Sequence, residues 1–421
     1  MARSRGANSV LAADFETVYG GAVAGAAVQM PFISANIGGV QALAEDDTLG
    51  QGRGQGDHTP DALDVDGDIT VPLDTRYIGV WLKHFLGAPT TAAAFAASMV
   101  IPFTANIQVG DTIILNGATW TAVVSGAVGR QFVPGVDLAA SLTALAAALN
   151  GSADTQTAKC TYTVTTTALT ITFDTLGPTG NSFTVTATGT MATIIPAATL
   201  LGGANTHTFI DGALTLPSQR LEIGFPEVPS YAANKGSLLN TMKLTLARKG
   251  LATAILSFIA QNEVEAPASV MGSPAALSGY DRFANKTGGV RQDGTLIANL
   301  TAADFTATNN FDKIESIRED GLIDGADAAV FMGSGTAELN FATRTLLTQA
   351  IAGRPSELKY GLSRLAGEAI SVTWHRVFFE RPKRTVGGAA GIKATFNWKA
   401  AKDKALGKTV TIVLTNDVAS Y

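Results

Sequence analysis

The sequence predicts a mainly β protein: an antiparallel β-sandwich or barrel with short flanking helices, plus a small inserted α+β domain. Three observations predict it. β-Branched runs punctuated by Gly, Asn and Pro fill most of the 421 residues. Apolar residues fall at helical spacing in only three short segments. Residues 98–204 hold six charged side chains (Asp111, Arg130, Asp137, Asp154, Lys159, Asp174), although the whole chain has 30 Lys+Arg and 35 Asp+Glu. Such a shift marks a separate module, so the chain divides into 1–97, 98–204 and 205–421, the first and third parts forming one interrupted domain.

In chain order, Asp74 is placed to cap a helix in which Ile78, Trp81, Leu82, Phe85 and Leu86 share a face and which Gly87 ends. In the insert, Thr112 to Leu115 and Thr119 to Val124 flank Asn116-Gly117, a hairpin signal. Asp137 caps a helix from Leu138 to Leu149, and Thr-rich strands follow near Cys160 to Phe173 and Ser182 to Thr188. Downstream, strands are expected at His207 to Ile210, Arg220 to Phe225, Leu238 to Ala247, Leu251 to Val264, Phe311 to Arg318, Ala328 to Phe341, Ile370 to Phe379, Gly391 to Lys399 and Thr409 to Leu414. A last helix, Thr343 to Ile351, carries Leu346, Leu347 and Ile351 on one side and stops at Gly353. In the long hairpin, Met242, Leu244 and Leu246 alternate with Thr241, Lys243 and Thr245, giving one apolar and one wet face.

Composition narrows the function. Hydrophobic residues at 46% and charged residues at 15% exclude disorder, and net charge −5 leaves no cationic excess to hold phosphates. Cys160 is the single cysteine, which excludes an intramolecular disulfide and a multi-thiolate metal site. Met1 to Arg5 has the charge of a signal-peptide start, but Asp14 and Glu16 interrupt it, so no secretion signal is expected. The uncharged run between Glu16 and Glu45 contains Gly20, Gly21, Gly25, Pro31, Gly38 and Gly39, which favour strands and turns over a membrane helix.

No motif carries chemistry, and no enzyme, cofactor or metal is expected. Gly50 to Gly56 is glycine-rich, but Asp57-His58-Thr59-Pro60 follows where a phosphate loop needs a helix. Asp64, Asp66 and Asp68 resemble a calcium loop in spacing, yet Ile69 and Thr75 stand where Gly and Glu are needed, so an acidic strand edge facing another subunit is the expectation. His58, His84, His207 and His375 lack zinc spacing. Gly333-Ser334-Gly335 reads as a bend, Cys160 as a lone buried thiol, and Arg376 to Arg384 has too few cations for a nucleic-acid patch.

Arg5-Gly6-Ala7-Asn8, Tyr19 to Phe32, Leu49 to Arg53, Asp66 to Asp74, Trp81 to Gly87, Phe311 to Ile317 with Asp320-Gly321, the Gly391-Ile392 strand and Leu414 to Val418 together resemble the tail tube proteins of long-tailed bacteriophages. The resemblance spares only the insert. It implies a virion structural protein, assembled in the host cytoplasm, whose homohexameric rings stack into a hollow conduit for double-stranded DNA, with tape measure, tail terminator and distal tail proteins as partners. With four strands per subunit, ~4.8 Å between strands and ~40° tilt, such a ring has a backbone radius of about 24 Å and a bore near ~38 Å, wide enough for a ~20 Å duplex. DNA then passes without sequence-specific binding, which a net negative wall favours. Thr241, Lys243, Thr245, Glu263 and Glu338 are the lumen candidates; Lys243 would put a positive ring in the bore unless a carboxylate such as Glu263 pairs with it. Glu45 to Asp68 is expected to be an arm without regular structure reaching another ring, its candidates being Gly50, Gly52, Arg53, Gly54, Asp57, Asp64, Asp66 and Asp68. The insert should project outward, where a contractile sheath would sit, so a non-contractile, siphovirus-type tail is expected. The competing reading is another virion surface or decoration protein, or a glycan-binding β-domain.

Overall fold

In the computed structural model, residues 3–25, 27–50, 53–189, 195–342, 344–364, 367–383 and 392–421 are described. The elements that matter here are β1 (Ser34–Ala44), β2 (Thr59–Pro72), α1 (Ile78–Leu86), β3 (Thr90–Phe95), β4 (Ala204–Ile210), β5 (Ser230–Ala247), β6 (Thr253–Ala260), β7 (Leu300–Thr308), β8 (Met332–Asn340), α2 (Thr345–Ala352), β9 (Ser356–Ser363), β10 (Ala369–Phe379), β11 (Lys393–Ala400) and β12 (Val410–Asn416). Apart from one short parallel pair inside the insert, the ladders between these strands are antiparallel.

One sheet runs β1–β2–β6–β5–β7–β8–β11. A second runs β9–β10–β12–β4–β3. The two meet at a corner where Val377 to Phe379 pair with Trp398 to Ala400. They face each other across one core in which Met242, Leu244, Phe305, Phe396 and Trp398 meet Leu358, Tyr360, Val372, Trp374 and Ile412. This is a two-layer β-sandwich; no single-chain closed barrel forms among the described residues. Aromatic packing ties the layers together, with ring centroids of Trp374 and Trp398 5.4 Å apart and those of Phe305 and Tyr360 5.3 Å apart. The Trp398 indole N–H donates to Tyr360 Oη (3.2 Å), which donates to the Asp304 carbonyl (3.1 Å).

Several expected strands differ in extent. Leu251 to Val264 is two strands, β6 and Asn262–Ala266, because the chain changes sheets at Gln261 while β5 spans both. Cys160 to Phe173 is a hairpin, Cys160–Val164 with Ala168–Phe173. Phe311 to Arg318 stops as a strand at Ile314, and Ala328 to Phe341 is broken between Ala328 and Met332. Gly333 and Gly335 make no bend; they lie within β8, where the indoles of Trp374 and Trp398 occupy the space a side chain would fill. The expected helix start at Thr343 falls outside the described residues, and Ile351 is 53% exposed rather than packed beside Leu346 and Leu347. The Arg384 end of the basic run and the Gly391 start of β11 also fall outside them.

Local signals hold where they are strong. Asp74 Oδ1 accepts the N–H groups of Arg76 (2.7 Å) and Tyr77 (2.6 Å) at the start of α1, and Gly87 ends the helix at φ 92°. Asn116 (φ 46°) and Gly117 (φ 88°) make the two-residue turn of the insert hairpin. Asp137 caps the insert helix, Leu138–Asn150, through the Ala140 N–H. The insert encloses its own hydrophobic cluster, from Ala97 to Leu200, around Trp120, Leu142, Leu145 and Ile171. Cys160 belongs to it, and burial pushes its thiol up to about 12. Strands β3 and β4 pair directly below the insert, so it hangs from the outer edge of the second sheet. Among the described residues no helix is long and apolar enough to cross a membrane.

His84 lies fully buried between α1 and β5, and its Nε2–H donates to the Ser237 carbonyl (2.9 Å). Burial lowers its pKa from 6.5 to about 4. The unfolded chain therefore takes up a proton between pH 6.5 and 4 that the folded chain refuses, and this contribution to stability is lost as pH falls through that window. Asp74, raised by burial from 3.8 to about 6, acts with the opposite sign over an overlapping range. Comparison with His84→Gln isolates the histidine: the wild-type advantage in urea unfolding should shrink by ~3 kcal/mol from pH 7 to pH 4. A pH-independent difference would contradict this.

Candidate functional site

Residues directly opposed in an antiparallel ladder share a face. Across the first sheet the register therefore builds rows. One runs Ser34, Thr70, Ile255, Lys243, Thr306, Ser334, Lys399. The next runs Asn36, Asp68, Ser257, Thr241, Thr308, Met332. A third runs Thr253, Thr245, Asp304, Thr336, Asn397. Asp66 and Asp64 continue the same face of β2, and Glu338 with Thr395 continues it on β8 and β11. The intervening residues, Ile69, Leu256, Met242, Leu244, Phe305, Ala337 and Phe396, are buried in the core.

The structure thus places two sets of expected residues together. Thr241, Lys243, Thr245 and Glu338 share one polar surface with Asp64, Asp66 and Asp68. This corrects the expectation of an arm without regular structure over Glu45 to Asp68: strand β2 begins at Thr59 and β1 ends at Ala44, which leaves 45–58 as the tip of a long hairpin. Pairing with β6 from Val65 to Pro72 satisfies the backbone that an unstructured arm would leave in water. Nor is β2 an edge, since β1 covers its other side. Gly50 turns at φ 96° in the tip; Arg53, Gly54 and Asp57 are exposed there, and Gly52 lies outside the described residues.

A second correction concerns Glu263. It does not pair with Lys243, because Asn262–Ala266 runs beside the other half of β5, opposite Asn234. Its Oε2 accepts the Gly39 N–H of β1 (3.1 Å), and burial raises its pKa. Lys243 is exposed, with Ile255 and Thr306 as cross-strand neighbours and no ion pair among the described residues.

The other charges on this face are mostly engaged. Lys393 Nζ lies 2.7 Å from Glu338 Oε1, and it holds that carboxyl below the usual carboxylate range with help from Thr301. Lys313 pairs with Asp64 (2.8 Å), Lys399 with Glu380 (3.5 Å), and Asp304 accepts Thr336 Oγ1–H (2.7 Å). Asp66 and Asp68 stand two residues apart on one strand, ~6.6 Å along it. No cluster of three metal-ligating side chains occurs among the described residues. The surface is wet, hydroxyl-rich and mildly acidic.

Asp304, Thr306, Thr308, Ser334, Thr336 and Asn397 were not singled out from the sequence, although alternation of Ala303, Phe305 and Ala307 with polar neighbours marks β7. The family model for phage tail tube proteins matches residues 6–400, a span that contains every strand of this sheet. The chain belongs to the phage tail tube protein family. No curated protein matches it. A tail tube protein is a structural component of the virion tail and assembles with other tail components.

Proposed function

We propose that six copies of this chain join into a ring, that the polar face of the seven-stranded sheet lines its bore, and that stacked rings form the tube along which double-stranded DNA passes. The observation that carries this reading is the predominantly polar face backed by the sandwich core, in a sheet that ends in a long strand, β1, whose outer edge pairs with no further strand among the described residues. A long sheet edge invites pairing with another chain, and closing the sheet across subunits removes it. The sheet has seven strands where the bore estimate took four. Strand β11 bends into the second sheet, and β1 and β2 form the seam with the next subunit. Strands β6, β5, β7 and β8 then remain as the lining.

Net charge −5 per subunit, about −30 per ring, opposes the counterion release that would hold DNA. The insert hangs from β3 and β4 on the second sheet, away from the polar face, which favours an outward position, a non-contractile tail and the division 1–97, 98–204, 205–421. Tape measure, tail terminator and distal tail proteins complete the assembly, which takes place in the host cytoplasm. The role needs no catalytic residue. Negative-stain microscopy of the purified chain tests it: rings or hollow tubes are expected, and separate globules would favour the decoration or glycan-binding alternative.

Adding cations to the bore should convert a passive wall into a binding one. Thr241→Lys with Thr245→Lys is expected to leave tubes intact but make them cosediment with duplex DNA at low salt and release it as salt rises. Equal cosedimentation of wild-type and variant tubes would place these residues outside the bore.

A further inference from the structure

We infer that the acidic hairpin formed by Phe311–Ile314 and Gly325–Ala328 docks, within one ring, into an apolar groove rimmed by lysines on the opposite flank of a second copy of this chain; the inference rests on the tube reading and assigns it a side-to-side contact. The hairpin leaves the sheet between β7 and β8. The Phe311 N–H donates to Asn240 Oδ1 (3.1 Å) and Asn310 Nδ2–H to the Val330 carbonyl (2.7 Å), which fixes its base at the Thr308 end of β7. Its far end reaches β2. Lys313 Nζ lies 2.8 Å from Asp64 Oδ1, Gly321 stands beside Ala62, and Gln261 Nε2–H donates to the Ile323 carbonyl (3.1 Å). The turn at 315–324 is tied by Arg318, which pairs with Asp320 and Asp324.

A groove of about 370 Å³ lies on the other flank, between the loop after β4, the segment before β8 and the end of β11. Phe85, Leu214, Val330, Met332, Ala401 and Lys402 line it. Strands β2 and β8 are four ladder steps apart, ~19 Å, by way of β6, β5 and β7. The hairpin therefore points away from its own groove, and the contact is between copies.

The two surfaces match in chemistry. Ile317 is fully exposed at the turn, and Ile314 beside it is 41% exposed. The groove exposes Leu214 (94%), Val330 (74%) and Met332 (55%), apolar groups that need cover. The hairpin carries Asp312, Glu315, Glu319, Asp320, Asp324 and Asp327 against Lys313 and Arg318, and both cations are already paired. Glu315 and Glu319 are exposed and form no ion pair among the described residues. At the groove, Lys399, Lys402, Lys404 and Lys408 stand against Asp403, whose Oδ1 accepts the Ala405 and Leu406 N–H groups. Asp211, also in the lining, accepts the N–H groups of Thr409 and Val410. Lys402 and Lys404 are exposed and form no ion pair among the described residues.

Both surfaces lie at the Thr308 end of the sheet, since Met332 pairs with Thr308, so joining them sets copies side by side. Contact between unlike surfaces of identical chains is heterologous, and it ends in a ring when the rotation closes. Two acidic flanks or two basic flanks repel, which opposes a two-fold dimer through either surface.

Cross-linking tests it on the full chain, whose single cysteine, Cys160, is buried. Oxidation of preformed rings of Ile317→Cys with Val330→Cys by diamide should give a covalent ladder up to six chains in non-reducing electrophoresis. Glu315→Lys with Glu319→Lys, and separately Lys402→Glu with Lys404→Glu, should each lower the ring yield in negative stain more than tenfold at about 0.1 M salt, where charges act over ~10 Å. The melting temperature should stay unchanged, because all four side chains are exposed. All four substitutions together should restore rings. Rings of the paired-cysteine variant without a ladder, wild-type ring yield from both reversals, or no rescue by their combination overturn the groove assignment and leave the tube reading standing. Wild-type chain that forms neither rings nor tubes overturns the tube reading and this contact with it.

Discussion

Removal of residues 50–56 is expected to leave rings and abolish tubes. The hairpin strands end at Ala44 and Thr59, so the cut falls wholly within the connecting tip. Seven of the fourteen tip residues remain, and closing a loop half as long changes the entropy by only ~0.6 kcal/mol. The β1–β2 ladder, from Ser34 with Thr70 to Ala44 with Thr59, keeps its register. What disappears is reach. On the proposed tube reading, a tip shortened by that much should no longer reach the next ring, so stacking should fail while ring closure along the strand edges is kept. Sedimentation and negative-stain microscopy of purified variant check this. Tubes of normal length would mean that the hairpin takes no part in stacking.

Gly335→Val is expected to destabilise the fold severely. A Cβ at Gly335 would lie 2.2 Å from the Asp304 carbonyl oxygen and 2.6 Å from Trp398 Cζ2. The carbonyl belongs to β7 and cannot withdraw without opening the β7–β8 ladder, and the indole is held by its bond to Tyr360. Gly333→Leu meets Trp374 at 2.1 Å with the same result. Overpacking of this kind costs ~3 kcal/mol or more, a large share of the ~5–15 kcal/mol that stabilises a domain. Ser334 between them is exposed on the polar face, so Ser334→Thr should melt as wild type does. Insoluble or early-melting Gly335→Val beside a normal Ser334→Thr is the expected pattern; melting of Gly335→Val within ~2 °C of wild type would exclude the packing argument.

These glycines show where sequence reading runs out. Gly-Ser-Gly reads as a bend because glycine usually marks one, yet here it makes room for two tryptophans that approach from β10 and β11, far along the chain. Strands β1, β7 and β9 gave weak signals for a related reason. Leu300–Thr308 alternates Ala and Phe with Thr and Asp, and alanine carries too little hydrophobic contrast to stand out, although Ala303 and Ala307 are buried. The β5–β6 hairpin was legible because Met242, Leu244 and Leu246 alternate with polar residues of clear contrast. Glu263 lay beyond local reading for another reason: the change of sheet at Gln261 carries it to Gly39, away from Lys243.

By itself the sequence determined the antiparallel β class, the Asp74 and Asp137 caps, the Asn116-Gly117 turn and the wet and dry faces of β5. Each of these depends on residues within a few positions of one another, where backbone geometry and side-chain period act directly. Only the tertiary structure decided that Asp64, Asp66 and Asp68 share a surface with Thr241 and Lys243, and that the turn of the 311–328 hairpin and the Leu214 groove lie on opposite flanks of it. Those facts rest on the pairing register of distant strands, which is set by how their apolar faces fit a common core, and no local stretch of sequence carries that information.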